Sequence, residues 1–295
     1  MNLLGEPAYV GRHCGGQEYE ISREVVDFYA EALEDRHPLY ARWAPPLLHH
    51  SECYKYLGQW YLKNLFGNLH ARQDWELFEP VPVGAHVRTR STLVERYAKR
   101  GRDYVVNETD LLDARDGRLL VRGRTHQSFL PPGGPPAAAE KECGYVVDAG
   151  TARKKAPREP FPTAQGEELD PVAKSIDARR CWMFSGPGRN YHTDVDQAKK
   201  LGFPTIVVQG MMTTCFAAQV MLDRFDMGFL RGGRMSLKLT NVVWVDEEVT
   251  TRARIDRYEP EGSAQRAHCQ VWAQKGDGTR VLVGEASALD RDPLV

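Results

Sequence analysis

The chain is 295 residues long, more than one domain usually holds and enough, as two domains or one duplicated unit, to bury roughly three quarters of its unfolded surface. Lys plus Arg (39) nearly balances Asp plus Glu (40), for a net charge of −1. No basic run is interleaved with aromatics, so nucleic acid and anionic membrane surfaces are not expected as partners and a small molecule is.

The amino terminus, residues 1–16, has no charged region followed by an apolar stretch, and no apolar run nears the ~18 residues that span a bilayer. A soluble, cytoplasmic protein is expected. Six cysteines, Cys14, Cys53, Cys143, Cys181, Cys215 and Cys269, lie far apart with no C-x-x-C pair, and no histidines cluster, which points to free thiols instead of a disulfide framework or a metal site. From Ser22 to Glu34 the apolar residues Val25, Val26, Phe28, Tyr29, Ala32 and Leu33 follow a serine at helical spacing, predicting a capped amphipathic helix. DRHPLY (Asp35–Tyr40) and APPLLHH (Ala44–His50) come next. Ser51 to Phe66 places Cys53, Leu57, Trp60, Tyr61, Asn64 and Leu65 along one side, a second helix packed on something flat. After Leu69 the period changes to that of strands. Four stretches rich in β-branched and aromatic residues are punctuated by Pro82 with Gly84, by Lys99-Arg100-Gly101 and by Asp116-Gly117, the last a hairpin signal. Helix followed by antiparallel meander is the α+β pattern of a sheet wrapped round one long helix.

Residues 131–171 are dense in Pro, Gly and charge and read as a linker, dividing the chain into units 1–130 and 172–295. Beyond the linker the order of elements returns. VRTRSTLVERY at Val87 matches VTTRARIDRY at Val249, an offset of 162. Gly101 matches Gly262, Asp116-Gly117 matches Asp277-Gly278, and Gly123 matches Gly284, each offset by 161; upstream, Pro46 matches Pro204 and Tyr40 matches His192. Met211 to Phe225 is apolar on nearly every side and reads as a core helix, its methionines packing.

Ser185 to Asp194, SGPGRNYHTD, puts a histidine, an arginine and an asparagine in a glycine-rich loop shortly before the apolar helix that starts at Gly210. His192 has a side chain that titrates near neutrality and suits proton transfer at a thioester. Asp194 fits the cap of a helix starting at Val195. Arg189 suits an anion or an enolate, and Asn190 suits orienting water; both equally fit a solvated loop. Gln209-Gly210-Met211 opens the core helix with bare N–H groups, where an acyl carbonyl has room to approach. The first copy has Ser51-Glu52 there, whose charge would oppose an oxyanion.

The stretch resembles the hydratase motif S-G-D-x-N-P-[IL]-H-x-D of the MaoC-like enoyl-CoA hydratases and dehydratases. Ser185, Gly186, His192 and Asp194 match it, Pro187 stands at the aspartate, Arg189 at the asparagine and Asn190 at the proline. DRHPLY of the first copy keeps the aspartate and proline but has Tyr40 at the histidine. The resemblance implies a double hotdog whose second half carries the site, with His192, Asn190 and Arg189 as catalytic candidates. Substrate would meet Gly210, Met211, Gln209, Ser185 and Gly186. The first half would serve a non-catalytic role, making room for a longer acyl chain. The implied activity is addition or removal of water at the 2,3 position of an acyl-CoA or acyl-carrier-protein thioester, in a homodimer, without metal or redox cofactor. Leu230-Arg231-Gly232-Gly233-Arg234 suits CoA phosphates or a plain exposed loop. Two alternatives remain: a hotdog thioesterase, which would want a carboxylate absent from Met211–Gln219, and a non-catalytic acyl-thioester-binding protein with a vestigial motif.

Overall fold

The structure, a computed structural model, describes residues 9–55, 69–129 and 166–290. Its strands are β1 (His13–Gly15), β2 (Glu18–Glu20), β3 (Leu69–Leu77), β4 (His86–Lys99), β5 (Arg102–Asp113), β6 (Leu119–Phe129), β7 (Val172–Ser175), β8 (Arg234–Leu239), β9 (Glu248–Glu261), β10 (Ala264–Lys275) and β11 (Arg280–Asp290). They form one 11-stranded sheet in the order β1-β4-β5-β6-β3-β8-β11-β10-β9-β7, with β2 beside β4. The repeat seen in the sequence is therefore a repeat of geometry. The strands β4, β5 and β6 have 14, 12 and 11 residues, and their counterparts β9, β10 and β11 have the same lengths.

The first copy departs from a simple meander. β3 does not pair with the strand that follows it but with β6, on the far side of the hairpins, and with β8 of the second copy. The link after β3, Glu79-Pro80-Val81-Pro82-Val83, includes two prolines that lack the N–H a ladder needs, so the chain crosses over instead of turning back. At the join Gln73 lies opposite Leu237 and Trp75 opposite Met235. Hairpin turns fall where the sequence puts them, with Gly117 and Gly278 at φ 74° and 82°, angles that favour glycine.

Among the described residues are six helices and a 3-10 turn: α1 (Arg23–Leu33), the turn Pro38–Ala41, α2 (Glu52–Lys55), α3 (Ala178–Ser185), α4 (Val195–Lys200), α5 (Gly210–Phe225) and α6 (Met227–Leu230). Ser22 caps α1 by accepting from the Val25 N–H, as its sequence predicts. The helix expected over 51–66 is present as α2, and its remainder lies outside the described residues. In α5, Met211–Ala218, Val220–Leu222 and Phe225 are buried, and it packs on β7, β9, β10 and β11. Each large apolar side chain buried this way contributes about 2 kcal/mol. Thr213 and Thr214 enter this core by donating their hydroxyls to the Gly210 and Met211 carbonyls.

A second tie joins the copies where α1 ends. Lys174 of β7 donates to the Glu34 carbonyl at 2.7 Å, and Arg180 of α3 to the Ala32 carbonyl at 3.0 Å, placing cations at a helix C-terminus where they are favoured. The stretch read as a linker ends earlier than its composition suggests. Residues 130–165 lie outside the described residues, whereas Leu169 is buried, donates its N–H to Ala253 and runs with Glu168 along β9. Those residues complete a sheet edge, which polar composition alone does not reveal. The five described cysteines are free and buried. Among the described residues no helix is long and apolar enough to cross a membrane.

The matched glycines Gly123 and Gly284 lie in β6 and β11 beside the central strands. A Cβ on Gly284 would stand 2.1 Å from the Ser236 carbonyl oxygen, whereas Gly276 has open space around it. Gly284→Ala should lower stability by about 2 kcal/mol, read as a lower urea midpoint, while Gly276→Ala should leave the midpoint in place.

Candidate active site

The loop between α3 and α5 is folded by its own side chains. The Asn190 Oδ1 accepts from the His192 N–H at 2.8 Å, and its Nδ2 donates to the Ser185 and Gly188 carbonyls at 3.1 and 3.3 Å. Thr193 Oγ1 accepts from the Asn190 N–H and donates to Gly188. The Asn190 amide is thus committed to shaping the turn and is not free to orient water. Arg189 points away from the loop's interior: exposed, it donates to Asp194 through Nε at 2.8 Å and Nη2 at 2.7 Å, with Asp196 at 3.9 Å. Asp194 caps α4 by accepting from Gln197 N–H at 3.0 Å, the role its position suggested. That bond, and then Arg189, hold its carboxyl below the usual carboxylate range.

His192 is half-buried, with Tyr191 against it at a ring separation of 3.9 Å. Its Nδ1 lies 2.7 Å from the Val207 carbonyl. A carbonyl only accepts, so Nδ1 carries the proton and the neutral ring keeps its lone pair on Nε2. Burial pushes the imidazole down to about 4, against the smaller pull of the Val207 carbonyl. Val207 is held from both sides, its N–H donating to Tyr191 and its neighbour Val208 donating to Val243. Three residues later α5 begins, so one short, doubly bonded segment fixes both the imidazole and the helix start.

At that start Gln209 is the N-cap residue and its side chain caps nothing. It accepts instead from the Tyr54 hydroxyl at 3.0 Å, a bond from α2 of the first copy. The Gly210 position where a Cβ would stand faces the end of the Leu239 side chain at 2.5 Å, so glycine there also lets α5 approach β8. Ser185 ends α3 with a hydroxyl that is buried and unpartnered, and Gly186 donates to the Trp182 carbonyl as the helix C-cap. Beside them, Phe184 stacks on His50 of the first copy at 4.1 Å and 12°. Tyr54 and His50 were missed in the sequence. Tyr54 carried no signal, and His50 only a place in APPLLHH, because what matters is where the first copy meets the second.

The first copy's half-motif is closed. Tyr40 donates to Asp35 at 2.6 Å, and burial raises the Asp35 carboxyl, more than Tyr40 and Lys174 lower it. Both line a small cavity against Cys215, Ala218 and Gln219 in the middle of α5, away from its N-terminus. Glu52, the first residue of α2, is buried and turned aside. It accepts from Gln17 Nε2 at 2.8 Å and Thr89 Oγ1 at 3.2 Å, with Lys55 at 3.4 Å. In the Leu230–Arg234 loop, Gly233 bonds to Phe229 and Leu77, and Arg266 donates to the Gly232 carbonyl. No group of three or more metal-ligating side chains occurs among the described residues.

The two copies share one continuous antiparallel sheet, with α5 as the central helix of the second, and the architecture is a double hotdog. In its second half, residues 162–269 match the family model described as MaoC like domain. A solved MaoC-like dehydratase superposes with a TM-score of 0.72 at 17% identity, over 95% of this chain and 98% of that one. A Mycobacterium tuberculosis protein described as having a double hotdog fold superposes at 0.61 and 15% identity, covering 95% and 96%. Among curated proteins, the peroxisomal multifunctional enzyme type 2 of Drosophila melanogaster is 25% identical over 157 residues, 53% of this chain and 24% of that protein. Its full-length structure gives a TM-score of 0.63 at 18% identity, covering 93% and 48%. The chain spans about a quarter of the length of the curated relative it matches.

The lowered His192 value has a consequence for stability. The unfolded imidazole titrates at its ordinary 6.5 and the folded one at about 4, so between those values the unfolded chain binds the extra proton and stability falls as pH drops. Between pH 7 and pH 4.5 the wild type should lose about 2 kcal/mol more than His192→Gln, measured by urea unfolding at the two pH values.

Proposed function

We propose that the protein hydrates or dehydrates an acyl thioester, carried on CoA or a carrier protein, at the 2,3 position, with the site in the second half. The observation that carries this reading is the Val207–Gly210 segment, which fixes a neutral imidazole and an uncapped helix N-terminus within three residues of each other. Such a pair divides the work that this chemistry needs. In hydration Nε2 of His192 takes a proton from water as the oxygen bonds to C3 and delivers it to C2, and in dehydration it takes the C2 proton and delivers it to the hydroxyl leaving C3 as water. The first-turn N–H groups of α5, at Gly210 and Met211, hold the thioester oxygen as charge develops on it, helped by the positive end of the helix dipole.

The motif's aspartate is replaced by Pro187, and the other polar residues of the loop do not take its place, since Arg189 is paired with Asp194 and Asn190 is used within the turn. Asp35 lies against another part of α5. Among the described residues His192 has no carboxylate partner, and the missing acid is also what favours the second reading, an acyl-thioester-binding protein without turnover.

Incubation with crotonyl, longer enoyl and branched enoyl thioesters separates the readings. Loss of absorbance at the conjugated bond is expected; release of free thiol would mean hydrolysis, and binding with neither would support the second reading. His192→Ala should lower the hydration rate by about 100-fold or more with folding kept, and full activity in that variant would remove His192 from the site.

A further inference from the structure

The internal repeat allows each inner position of the first sheet half to be compared with its counterpart in the second. Gln73, Thr125 and Asn107 stand side by side across β3, β6 and β5. The same row in the second copy is Met235, Ala286 and Cys269. In the neighbouring pair Thr109 faces Ser91, where the second copy sets Val271 opposite Ala253. Further along, Gln127 faces Val105, where Ala288 faces Ala267. The polar members of these rows are buried: Gln73, Thr125, Asn107 and Thr109 at 0%, Ser91 at 1% and Gln127 at 4%.

At these positions one scaffold thus carries apolar side chains in one half and polar ones in the other. A polar row inside a sheet costs desolvation that the apolar set does not, unless every group is paired. Here most are. Thr125 donates to Gln73 at 2.8 Å, Thr109 to Ser91 at 3.2 Å, and Asn107 Nδ2 to the Cys53 carbonyl at 2.6 Å. Two are not: Asn107 Oδ1 and Gln127 Oε1 are buried side-chain carbonyls without a partner. Both are acceptors, so the absent group is a donor. The row itself is uncharged, and half-buried His70, opposite Gln127 and 3.1 Å from Gln73, is held neutral by burial. An ionised ligand would lose its hydration with no counter-charge there. The row lies under the start of α2, where Asn107 holds Cys53, and the next residue, Tyr54, reaches Gln209 at the candidate site.

Resting on the thioester reading above, we infer that the inner face of the first half recognises neutral hydroxyl donors on the acyl chain through the Asn107 and Gln127 carbonyls, one O–H to each, so that the substrate is a hydroxylated acyl thioester and not a plain long-chain one. An apolar tail would meet two unpaired carbonyls on that face; each hydroxyl on the chain donates its hydrogen to one of them.

The test compares enoyl-CoA thioesters of equal chain length with and without a hydroxyl on the distal part of the chain. The wild type should prefer the hydroxylated compound by about 10-fold in kcat/KM, the size of one buried hydrogen bond. Gln127→Ala and Asn107→Cys, which install the second copy's own residues, should bring that ratio towards one. Gln127 makes no side-chain hydrogen bond that its replacement would break, so it serves if Asn107→Cys fails to fold. A wild-type ratio near one overturns the proposal, as does an equal loss on both compounds, which would assign the donor to the amides of the CoA arm. A lowered melting temperature with an unchanged ratio overturns it too, leaving a structural network. Should neither compound turn over, the hydratase reading fails by itself, and calorimetry with the saturated hydroxylated and plain thioesters reads the same ratio as a ratio of Kd values.

Discussion

The pairing of β3 with β8 is the constraint on which the rest of this molecule depends. Two sheets of equal strand lengths each have an open edge at that point, and an unpaired edge of backbone groups is costly and prone to associate. Joining them edge to edge satisfies both ladders. It also brings the helices of the two copies side by side, so that α1 meets α3 and the start of α2 reaches the start of α5. The ties from Lys174 and Arg180 to the end of α1 hold the same arrangement from the helical side.

With both copies held in one frame, they have been free to diverge. The second copy spends its inner face on burying α5 and keeps the neutral imidazole beside an uncapped helix start. The first copy closes its half of the motif with a bond between Tyr40 and Asp35 and turns Glu52 into a network with Gln17 and Thr89. Its inner face is polar where the second is apolar. The candidate site is then a joint construction: the second copy supplies His192 and the helix N-terminus, and the first supplies Tyr54, which occupies the Gln209 side chain, and His50, which stacks behind the loop.

Much of the fold was legible because local periodicity writes it directly. Alternation over 86–129 and 248–290 gave strands, Asp-Gly pairs gave hairpins, and Ser22 and Asp194 gave helix caps, since each depends on neighbours within a few residues. The site was legible only in part. His192 and Gly210 stood out by residue type and position, and the cap role of Asp194 followed from its place. Arg189 and Asn190 were open between chemistry and loop structure, and it is their hydrogen bonds, to Asp194 and to the turn's own backbone, that show how each is used. The boundary at 171 overshot because Leu169 sits in a polar stretch yet finds a buried place along β9.

The sequence by itself determined that this chain is a duplicated helix-and-sheet unit with an imidazole before an apolar helix, because spacing and repetition survive in one dimension. Only the tertiary structure decided which edges join, which side chains of the first copy reach the second, and that Gln73, Thr125 and Asn107 form one row. Those facts depend on the register of strands far apart in the chain, and register is set by packing and by ladder hydrogen bonds that no local pattern encodes.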